Sequence, residues 1–499
     1  MSQIQINDLT FTYENSYTPV FEHVSLQLDT NWKLGFTGRN GRGKTTFCKL
    51  LTGEYPYSGI ISTPVQFDYF PFPVPEPYRL VLDLLEELAP QAQQWQFRKE
   101  LTLLEVSDDV LYQPFATLSN GQQTKVLLAA LFLRENQFLL IDEPTNHLDQ
   151  WGRQIVSRYL NGKQGFLLIS HDRQFLDGCI DHILSINKTN LELQEGNFSS
   201  WYANQQRQEQ FERTQQTRLK KEIQQLQQSA KRTAHWSDQV EASKKGAHNG
   251  DSKPDRGYIG HKAAKMMQRS KTLEQRQQKA ITEKAALLQN AERFDVLKLS
   301  TLPAPAQQLV WLREVAIRYD GTIVNQPVSF EITAGDRIAL QGPNGCGKSS
   351  LLKVILGEPL QYTGSIERNS RLKVSYISQS TAHLQGTLQN YAHQQQIDLS
   401  QFFAILNKLD FSRNQLEQPM QTYSMGQKKK VLLAASLCQQ AHLYIWDEPL
   451  NYMDIYSRFQ LEDVLLHFEP TLLFVEHDQQ FVEKIATKTV ALAKAYVDL

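Results

Sequence analysis

A phosphate-binding loop occurs twice in this 499-residue chain, as GRNGRGKTT at residues 38–46 and as GPNGCGKSS at residues 342–350. Both copies fit G-x-x-x-x-G-K-[ST], in which glycines let backbone N–H groups surround phosphates while the lysine reaches the β- and γ-phosphates. The lysine recurs after 304 residues, as Lys44 and Lys348, and a serine, an aspartate and a histidine recur after 305, 305 and 306 residues. So regular an offset predicts one nucleotide-binding module that is present twice.

Composition indicates a globular chain whose charge is unevenly distributed. It is 41% hydrophobic and 21% charged, and no apolar run approaches the ~20 residues that span a bilayer. The N-terminus carries no signal pattern, no long tail follows the second module, and the four cysteines lack metal-ligand spacing. We therefore expect a cytoplasmic protein with free thiols and no membrane association.

The net charge of −1 conceals a basic centre, with 18 Lys and Arg against 9 Asp and Glu between residues 201 and 290. Such a segment between two acidic flanks predicts a polyanionic partner.

The pattern along the chain predicts an α/β fold in three segments. Short apolar strands alternate with helical stretches over residues 1–198 and again over residues 301–499, as in a P-loop ATPase domain. In the second half of residues 199–300, apolar side chains recur every seven positions, at Met266, Leu273, Ala280 and Leu287. Residues 243–260 are rich in Gly, Asn, Asp and Pro, which indicates a loop. We predict a long α-helical hairpin linker with a basic tip ~60 Å from the modules, at 1.5 Å per helical residue; the alternative is a solvated linker that merely joins two domains.

Two further motifs in each module narrow the phosphate chemistry. LSNGQQ and YSMGQKK place Ser119 and Ser424 where a helix begins, so a hydroxyl and a helix N-terminus can face a γ-phosphate. The strands QFLLIDEP and HLYIWDEP each end in an Asp-Glu pair. An Asp at that place can hold Mg²⁺, and the adjacent Glu can polarise an attacking water.

A histidine follows another apolar strand of each module, as His171 in LLISHD and His477 in LFVEHD. An imidazole there can contact a γ-phosphate. Spacing alone does not distinguish this role from that of a capping or core histidine.

These motifs resemble those of the ABC ATPases and, in particular, of their duplicated ABC-F branch. The resemblance covers nearly the whole chain and includes TNHLD at residues 145–149, typical of that branch, and the weaker LNYMD at residues 450–454. It implies two tandem ABC-type P-loop ATPase domains in one monomer, which close face to face on two ATP molecules with Mg²⁺. Each site then joins the P-loop of one module to the signature Ser and Gly of the other.

The resemblance also implies the site residues. Site one would join Lys44, Thr45, Asp142, Glu143 and His171 to Ser424 and Gly426. Site two would join Lys348, Ser349, Asp447, Glu448 and His477 to Ser119 and Gly121. The implied nucleotide-binding residues are Tyr13, Gly38, Asn40, Gly41, Gly43, Lys44, Thr45, Thr46, Ser119, Gly121, Gln122, Tyr319, Gly342, Asn344, Gly345, Gly347, Lys348, Ser349, Ser350, Ser424, Gly426 and Gln427. The implied catalytic residues are Glu143, Glu448, His171, His477 and Gln379, and the implied Mg²⁺ residues are Thr45, Asp142, Ser349, Gln379 and Asp447.

The resemblance also bears on two further pairs of equivalent positions. Tyr13 and Tyr319 stand where the family stacks an aromatic ring on adenine, although ordinary core aromatics are the alternative. The family also places a glutamine after the strand that follows the P-loop, where it meets Mg²⁺ and the attacking water. The second module has Gln379 there, whereas the first has Phe72, which can neither ligate a metal nor orient water. We therefore predict unequal sites, with site one the slower hydrolyser.

An ATPase of this kind could drive a separate transporter, act on DNA or act on the ribosome. Transporter ATPases usually lack a long basic hairpin between fused halves, and DNA-acting relatives carry a longer coiled coil within a module or zinc-binding cysteine pairs. A hairpin between the modules resembles ABC-F proteins that bind the exit site of the bacterial 70S ribosome, near P-site tRNA, and direct the hairpin towards the peptidyl-transferase centre. The expected rRNA-binding residues of the tip are Lys244, Lys245, Lys253, Arg256, Tyr258, Lys262 and Lys265; a solvated charged loop is the alternative.

Neither module has room for a large inserted arm, and this slim layout is similar to that of antibiotic-resistance ABC-F proteins of the Lsa and Vga type. The resemblance implies relief of ribosomes stalled by lincosamides, pleuromutilins and streptogramin A. The alternatives are a housekeeping ABC-F translation factor without a drug role and the ATPase component of a drug exporter.

Overall fold

The computed structural model describes residues 3–14, 19–146, 148–186, 190–208, seven scattered positions from 210 to 228, 297–319 and 321–495. The chain divides into two units, one formed by Met1–Trp201 with Asp295–Leu499 and the other by Tyr202–Phe294. Apart from residues 198–208 and the seven scattered positions, the predicted hairpin lies outside the described residues, as do its heptad positions and all seven predicted RNA-binding residues of its tip. The predicted division into three domains, 1–198, 199–300 and 301–499, stays a prediction.

The first module alternates strands and helices. Its strands are β1 (Gln3–Phe11), β2 (Phe21–Asp29), β3 (Lys33–Gly38), β4 (Ser58–Ser62), β5 (Gln66–Phe70), β6 (Gln137–Asp142), β7 (Phe166–Ile169), β8 (His182–Ile186) and β9 (Leu191–Glu195). Its helices are α1 (Lys44–Leu51), α2 (Val81–Leu88), α3 (Gln94–Leu103), α4 (Asn120–Leu131), α5 (Gln150–Asn161) and α6 (Arg173–Cys179).

The second module repeats this order. Its strands are β10 (Gln308–Tyr319), β11 (Thr322–Ile323), β12 (Val328–Thr333), β13 (Arg337–Gln341), β14 (Gln361–Arg368), β15 (Val374–Ile377), β16 (Leu443–Asp447), β17 (Leu472–Val475) and β18 (Lys488–Ala491). Its helices are α7 (Lys348–Leu356), α8 (Leu388–Gln394), α9 (Leu399–Lys408), α10 (Arg413–Glu417), α11 (Met425–Cys438), α12 (Ile455–Phe468) and α13 (Gln479–Ile485).

Each module has a central, mainly parallel sheet and a smaller antiparallel one. The central sheets run β5-β6-β7-β3-β8-β9 and β15-β16-β17-β13-β18, and the antiparallel sheets are built around β1 and β10. Parallel strands end at one edge of a sheet, so the loops that follow them meet there. The loops after β5, β6, β7 and β3, and those after β15, β16, β17 and β13, carry the Phe72 and Gln379 positions, the Asp-Glu pairs, the histidines and the P-loops. The topology therefore assembles four separate stretches of sequence into one site per module.

The helix behind the first P-loop is anchored by buried aromatic side chains. Phe47 of α1 lies between Phe36 of β3 and Phe21 of β2, with ring centroids 5.4 and 5.8 Å away, and all three rings are fully buried. Fully burying an aromatic side chain stabilises a fold by ~1.5–3 kcal/mol. This packing holds the N-terminus of α1, and with it the phosphate-binding loop, against both sheets.

Candidate functional site

Both P-loops are shaped around the ammonium group of their lysine. Lys44 Nζ donates to the carbonyl oxygen of Gly38 at 2.7 Å, and Lys348 Nζ donates to that of Gly342 at the same distance. Gly43 immediately precedes α1 and has a φ of 101°, and a Cβ at this position would lie 2.5 Å from Val20 Cγ1. Only glycine suits both restrictions. Each loop leads into the N-terminus of a helix, which favours an anion.

The predicted Mg²⁺ carboxylates stand at the ends of β6 and β16. Thr45 Oγ1 and Tyr69 OH both donate to Asp142 Oδ2, at 2.8 and 2.9 Å. Burial raises the pKa of Asp142, and it raises the pKa of Asp447 to about 6. Buried carboxylates of raised pKa gain strongly from a nearby cation. Asp447, with both carboxylate oxygens buried, therefore has the donor chemistry expected for Mg²⁺.

The two candidate catalytic glutamates have different surroundings. Glu448 accepts hydrogen bonds from Gln379 Nε2 at 2.9 Å and from Asn451 Nδ2 at 2.6 Å, and His477 Nε2 lies 3.6 Å from its other oxygen. Burial alone would raise the pKa of Glu448, but the contacts with His477 and Gln379 outweigh it and lower the pKa to about 2. Glu448 is therefore ionised at neutral pH.

In the first module, burial, reinforced by the charge of Asp142, raises the pKa of Glu143 to about 8. His171 Nε2 lies 3.4 Å from Glu143 and 3.1 Å from Asn40 Oδ1. Burial and the charge of Lys44 hold the pKa of His171 well below its ordinary value, so this imidazole is neutral. The first module therefore holds its glutamate mainly protonated at neutral pH.

The surroundings of the two glutamates differ at one position that strand register shows to be equivalent in the two modules. In the second module Ile377 pairs with Trp446, the residue before Asp447, and in the first Phe70 pairs with Ile141, the residue before Asp142. Two positions further along, Gln379 and Phe72 are therefore structural equivalents. Phe72 has no side-chain amide that could donate a hydrogen bond to Glu143.

A cavity of about 710 Å³ joins the two modules at site two. One wall belongs to the second module and includes Asn344, Gly345, Gly347, Lys348, Ser349, Ser350, Gln379, Glu448 and His477. The opposite wall belongs to the first module and includes Ser119, Gly121 and Gln122. Gly342 lines an adjacent cavity of about 430 Å³. The structure thus brings the P-loop of one module to the signature motif of the other, around a space within the range of ligand pockets.

At site one the corresponding motifs contact each other directly. Asn40 Nδ2 donates to the carbonyl oxygen of Tyr452 at 2.9 Å, and Arg39 forms an ion pair with Asp410. A Cβ added to Gly426 would lie 3.1 Å from Asn40 Nδ2. The first P-loop is therefore in direct contact with the second module, and its Asn40 lies next to Gly426 of the signature motif.

Both signature serines cap helices. Ser119 Oγ accepts from the backbone N–H of Gln122, and Ser424 Oγ accepts from that of Gln427, each at 3.3 Å. The side chain of each glutamine in turn accepts from the backbone N–H of its serine, completing a capping box. This arrangement fixes where α4 and α11 begin and points their N-termini across the interface.

The two tyrosines proposed to stack on adenine are partly exposed rather than core residues. Tyr13 is 41% exposed and Tyr319 is 46% exposed. Their hydroxyls are hydrogen-bonded to Thr46 Oγ1 at 2.6 Å and to Ser350 Oγ at 2.8 Å. Each ring is thus tied to the end of a P-loop and is partly exposed to solvent, and its stacking on adenine stays a prediction.

Sequence reasoning missed several residues of site two, among them Asn451 and Lys494. Asn451 holds the catalytic glutamate, and Lys494 lines the cavity beside the P-loop. A signal existed for both, because Asn146 precedes Asn451 by 305 residues and Lys188 precedes Lys494 by 306, the offsets of the other motifs. Lys188 itself lies outside the described residues.

Comparison with known proteins places these features in a family. The family described as ABC transporter matches residues 21–146 and 325–451, one stretch in each module. Among the residues that the structure describes, no helix is long and apolar enough to cross a membrane.

Several curated proteins are similar along most of the chain. Ribosome protection protein VmlR of Bacillus subtilis is 27% identical over 487 residues, which cover 97% of this chain and 85% of VmlR. ATP-binding protein Uup of Caulobacter vibrioides is 26% identical over 491 residues, covering 95% of this chain and 75% of Uup.

Among solved structures, archaeal ribosome recycling factor aABCE1, in complex with the stalk protein aP1, matches with a TM-score of 0.62 at 19% identity. The match covers 98% of this chain and 89% of that one. At this identity the likeness shows the fold alone, and the predicted tandem arrangement of two P-loop domains is confirmed.

Proposed function

Because the chain belongs to the ABC transporter family of ATPases, within its ABC-F branch, we propose that it binds the bacterial 70S ribosome in an ATP-bound, closed form. There it relieves translation stalled by antibiotics. The observation that carries the ribosomal part is the similarity to a ribosome protection protein along 97% of the chain. It includes both ATPase modules and the basic segment between them.

ATP hydrolysis is proposed to proceed chiefly at site two. Lys348 and the N-terminus of α7 bind the β- and γ-phosphates, and Ser119 and Gly121 close over them from the other module. Mg²⁺, when bound by Asp447, Ser349 and Gln379, neutralises charge on the phosphates. Glu448 is held ionised within reach of Gln379 and Asn451, so its carboxylate can orient the attacking water and take a proton from it.

Site one is proposed to bind ATP through Lys44, Thr45 and Asp142 and to hydrolyse it more slowly. Its glutamate lacks the amide that Gln379 supplies to Glu448, and its pKa of about 8 leaves it mainly protonated at neutral pH. A protonated carboxyl cannot accept a proton from water. ATP bound at site one would thus stabilise the closed form, while hydrolysis at site two would determine when the protein leaves the ribosome.

Closure is proposed to aim the basic hairpin at ribosomal RNA near the peptidyl-transferase centre. ATP can shift the modules towards the closed form only by binding that form more tightly. The cations and Tyr258 of the tip would meet phosphates and bases, in a contact that weakens steeply with salt. Drugs of the lincosamide, pleuromutilin and streptogramin A classes would dissociate from the ribosome when RNA or P-site tRNA shifts.

The test uses a Glu143→Gln, Glu448→Gln double variant, in which both sites bind ATP without cleaving it. Co-sedimentation with bacterial 70S ribosomes should occur with ATP and not with ADP. Failure to co-sediment with ribosomes in the presence of either nucleotide would refute the ribosomal role. Recovery of the protein with membranes would favour the ATPase component of an exporter.

Inhibitory concentrations of the three drug classes then separate resistance from a housekeeping role. Expression of the wild-type chain in a sensitive bacterium should raise them, and expression of the double variant should not. Ribosome binding without any change in these concentrations would favour a translation factor that acts without a drug.

A further inference from the structure

The two halves of the interface between the modules are related by the repeat but are filled differently. On the site-one side, Arg173 of the first module enters the second. Its Nη2 lies 2.5 Å from Glu462 and 3.4 Å from Asp478, and its guanidinium carbon lies 5.0 Å from the centre of the Phe459 ring. Arg173 and both carboxylates are buried. A cation, two anions and an aromatic ring therefore occupy this half.

Three of the four matching positions on the site-two side hold smaller or neutral residues, while the fourth, Asp172, keeps the carboxylate of Asp478. Arg173 corresponds to Gln479, Glu462 to Ser157 and Phe459 to Gln154, at offsets of 306, 305 and 305 residues. Gln479 accepts a hydrogen bond from Gln150 at 2.6 Å. A cavity of about 340 Å³, lined by Ser157 and Gln154 among others, lies where the repeat would place the arginine and its partners.

This cavity is the outermost of three that follow one another from the nucleotide site. It shares Gln150, Gln154 and His477 with the cavity of about 430 Å³. That one shares Lys348, His477 and Asp149 with the large cavity of site two. The P-loop lysine and the histidine mark the γ-phosphate end of a P-loop site, so the row of cavities begins where phosphate is produced.

We propose that these two smaller cavities are the exit route for inorganic phosphate formed at site two, an inference that rests on the proposed hydrolysis there. The oxygen of water bonds to the γ-phosphorus, the bond from that phosphorus to the bridging oxygen breaks, and ADP keeps the electron pair. ADP remains between P-loop and signature motif. The small phosphate anion can leave alone.

The lining suits passage rather than tight binding. Both volumes are many times the ~30 Å³ that one water occupies in the liquid, so a hydrated anion fits. Lys348 and His477 favour an anion at the inner end. The carboxylates along the way are already engaged. Asp172 pairs with Arg153 at 2.8 Å, Glu476 accepts from the backbone N–H of Leu450 at 2.7 Å, and Asp149 accepts from that of Gly152 at 2.8 Å.

The same comparison separates the two sites. At site one the equivalent route is filled by Arg173 and its partners, so phosphate formed there leaves only when the modules part. Site two can lose phosphate from the closed form. Because of this difference, phosphate release at site two can weaken the closed form before either ADP is released.

The experiment introduces the side chains that fill the site-one half of the interface at the equivalent positions of the site-two half. The Gln154→Phe variant introduces the ring found at Phe459, and Gln154→Ala is the matched control that keeps the cavity open. A triple variant, Gln154→Phe with Ser157→Glu and Gln479→Arg, copies the whole site-one arrangement. All are made in a Glu143→Gln background of the full chain, so that only site two cleaves ATP.

Single-turnover reactions are followed in two ways, by acid quench for total phosphate and by a fluorescent phosphate-binding protein for free phosphate. Gln154→Phe and the triple variant should cleave ATP at the parental rate but release free phosphate at least threefold later, while Gln154→Ala releases it with cleavage. Free phosphate that keeps pace with cleavage in both filled variants would overturn the exit route, including when cleavage itself slows. A parent protein that cleaves no ATP would overturn the hydrolytic role of site two instead, and the exit route with it.

Discussion

Replacing Gln379 with phenylalanine should convert site two into a copy of site one. The amide of Gln379 donates to Glu448 at 2.9 Å, and strand register places Phe72 at the same position in the first module. A hydrogen bond to a charged group contributes ~1.5–3 kcal/mol. If that contribution acts on the barrier, hydrolysis at site two falls by roughly 10- to 150-fold, at ~1.4 kcal/mol per tenfold.

The assay is steady-state ATP turnover in a Glu143→Gln background, which leaves site two as the only source of phosphate. Phe72→Ala in that background is the matched control and should not change turnover, because site one is already blocked. A second readout is the pH profile. Loss of the amide raises the pKa of Glu448, so the acidic limb of the profile of Gln379→Phe should move to higher pH.

Turnover of Gln379→Phe within threefold of its parent would refute the reasoning, because the hydrogen bond to Glu448 would then not bear on the barrier. An unchanged acidic limb together with a large loss of rate would instead show that Gln379 acts without setting the charge of Glu448.

Three further outcomes follow from the interface and from site one. Arg173→Gln should weaken ATP-dependent closure about tenfold or more, because it removes from the buried carboxylate of Glu462 its partner in the other module. Closure is measured by energy transfer between dyes on the two modules. Lys484→Gln, which removes a half-exposed cation from the same carboxylate, should change closure less than threefold. Gly426→Ala should also impede closure, since its Cβ would lie only 3.1 Å from Asn40 Nδ2 of the first module, and unchanged energy transfer would contradict this packing. The free energy of unfolding of the wild-type protein without nucleotide should fall relative to that of the Glu143→Gln variant as pH rises from about 5 to about 8. In this range Glu143 keeps its proton in the folded state but has lost it in the unfolded state. The slope of the difference is at most ~1.4 kcal/mol per pH unit, and parallel pH curves for the two proteins would contradict the raised pKa.

The local motifs were predictable because their function depends on residues that are close in sequence. Each P-loop needs glycines and a lysine at set spacings, and each signature serine needs only the glutamine three residues later to cap its helix. The strands carrying the acidic pairs are short apolar runs, and parallel topology brings their carboxyl ends to one edge. Sequence alone thus determined two ATPase modules and the motifs that compose their sites.

The inequality of the two halves required the tertiary structure. The sequence displayed Phe72 against Gln379, but it gave no sign that Arg173 would meet a glutamate 289 residues away or that its counterpart Gln479 would leave cavities. Such pairs are joined only by the packing of one module on the other, and no periodicity or spacing records them. The charge of each glutamate is likewise a sum over burial and neighbours drawn from several strands, so it depends on where the chain has folded rather than on which residues stand next to it.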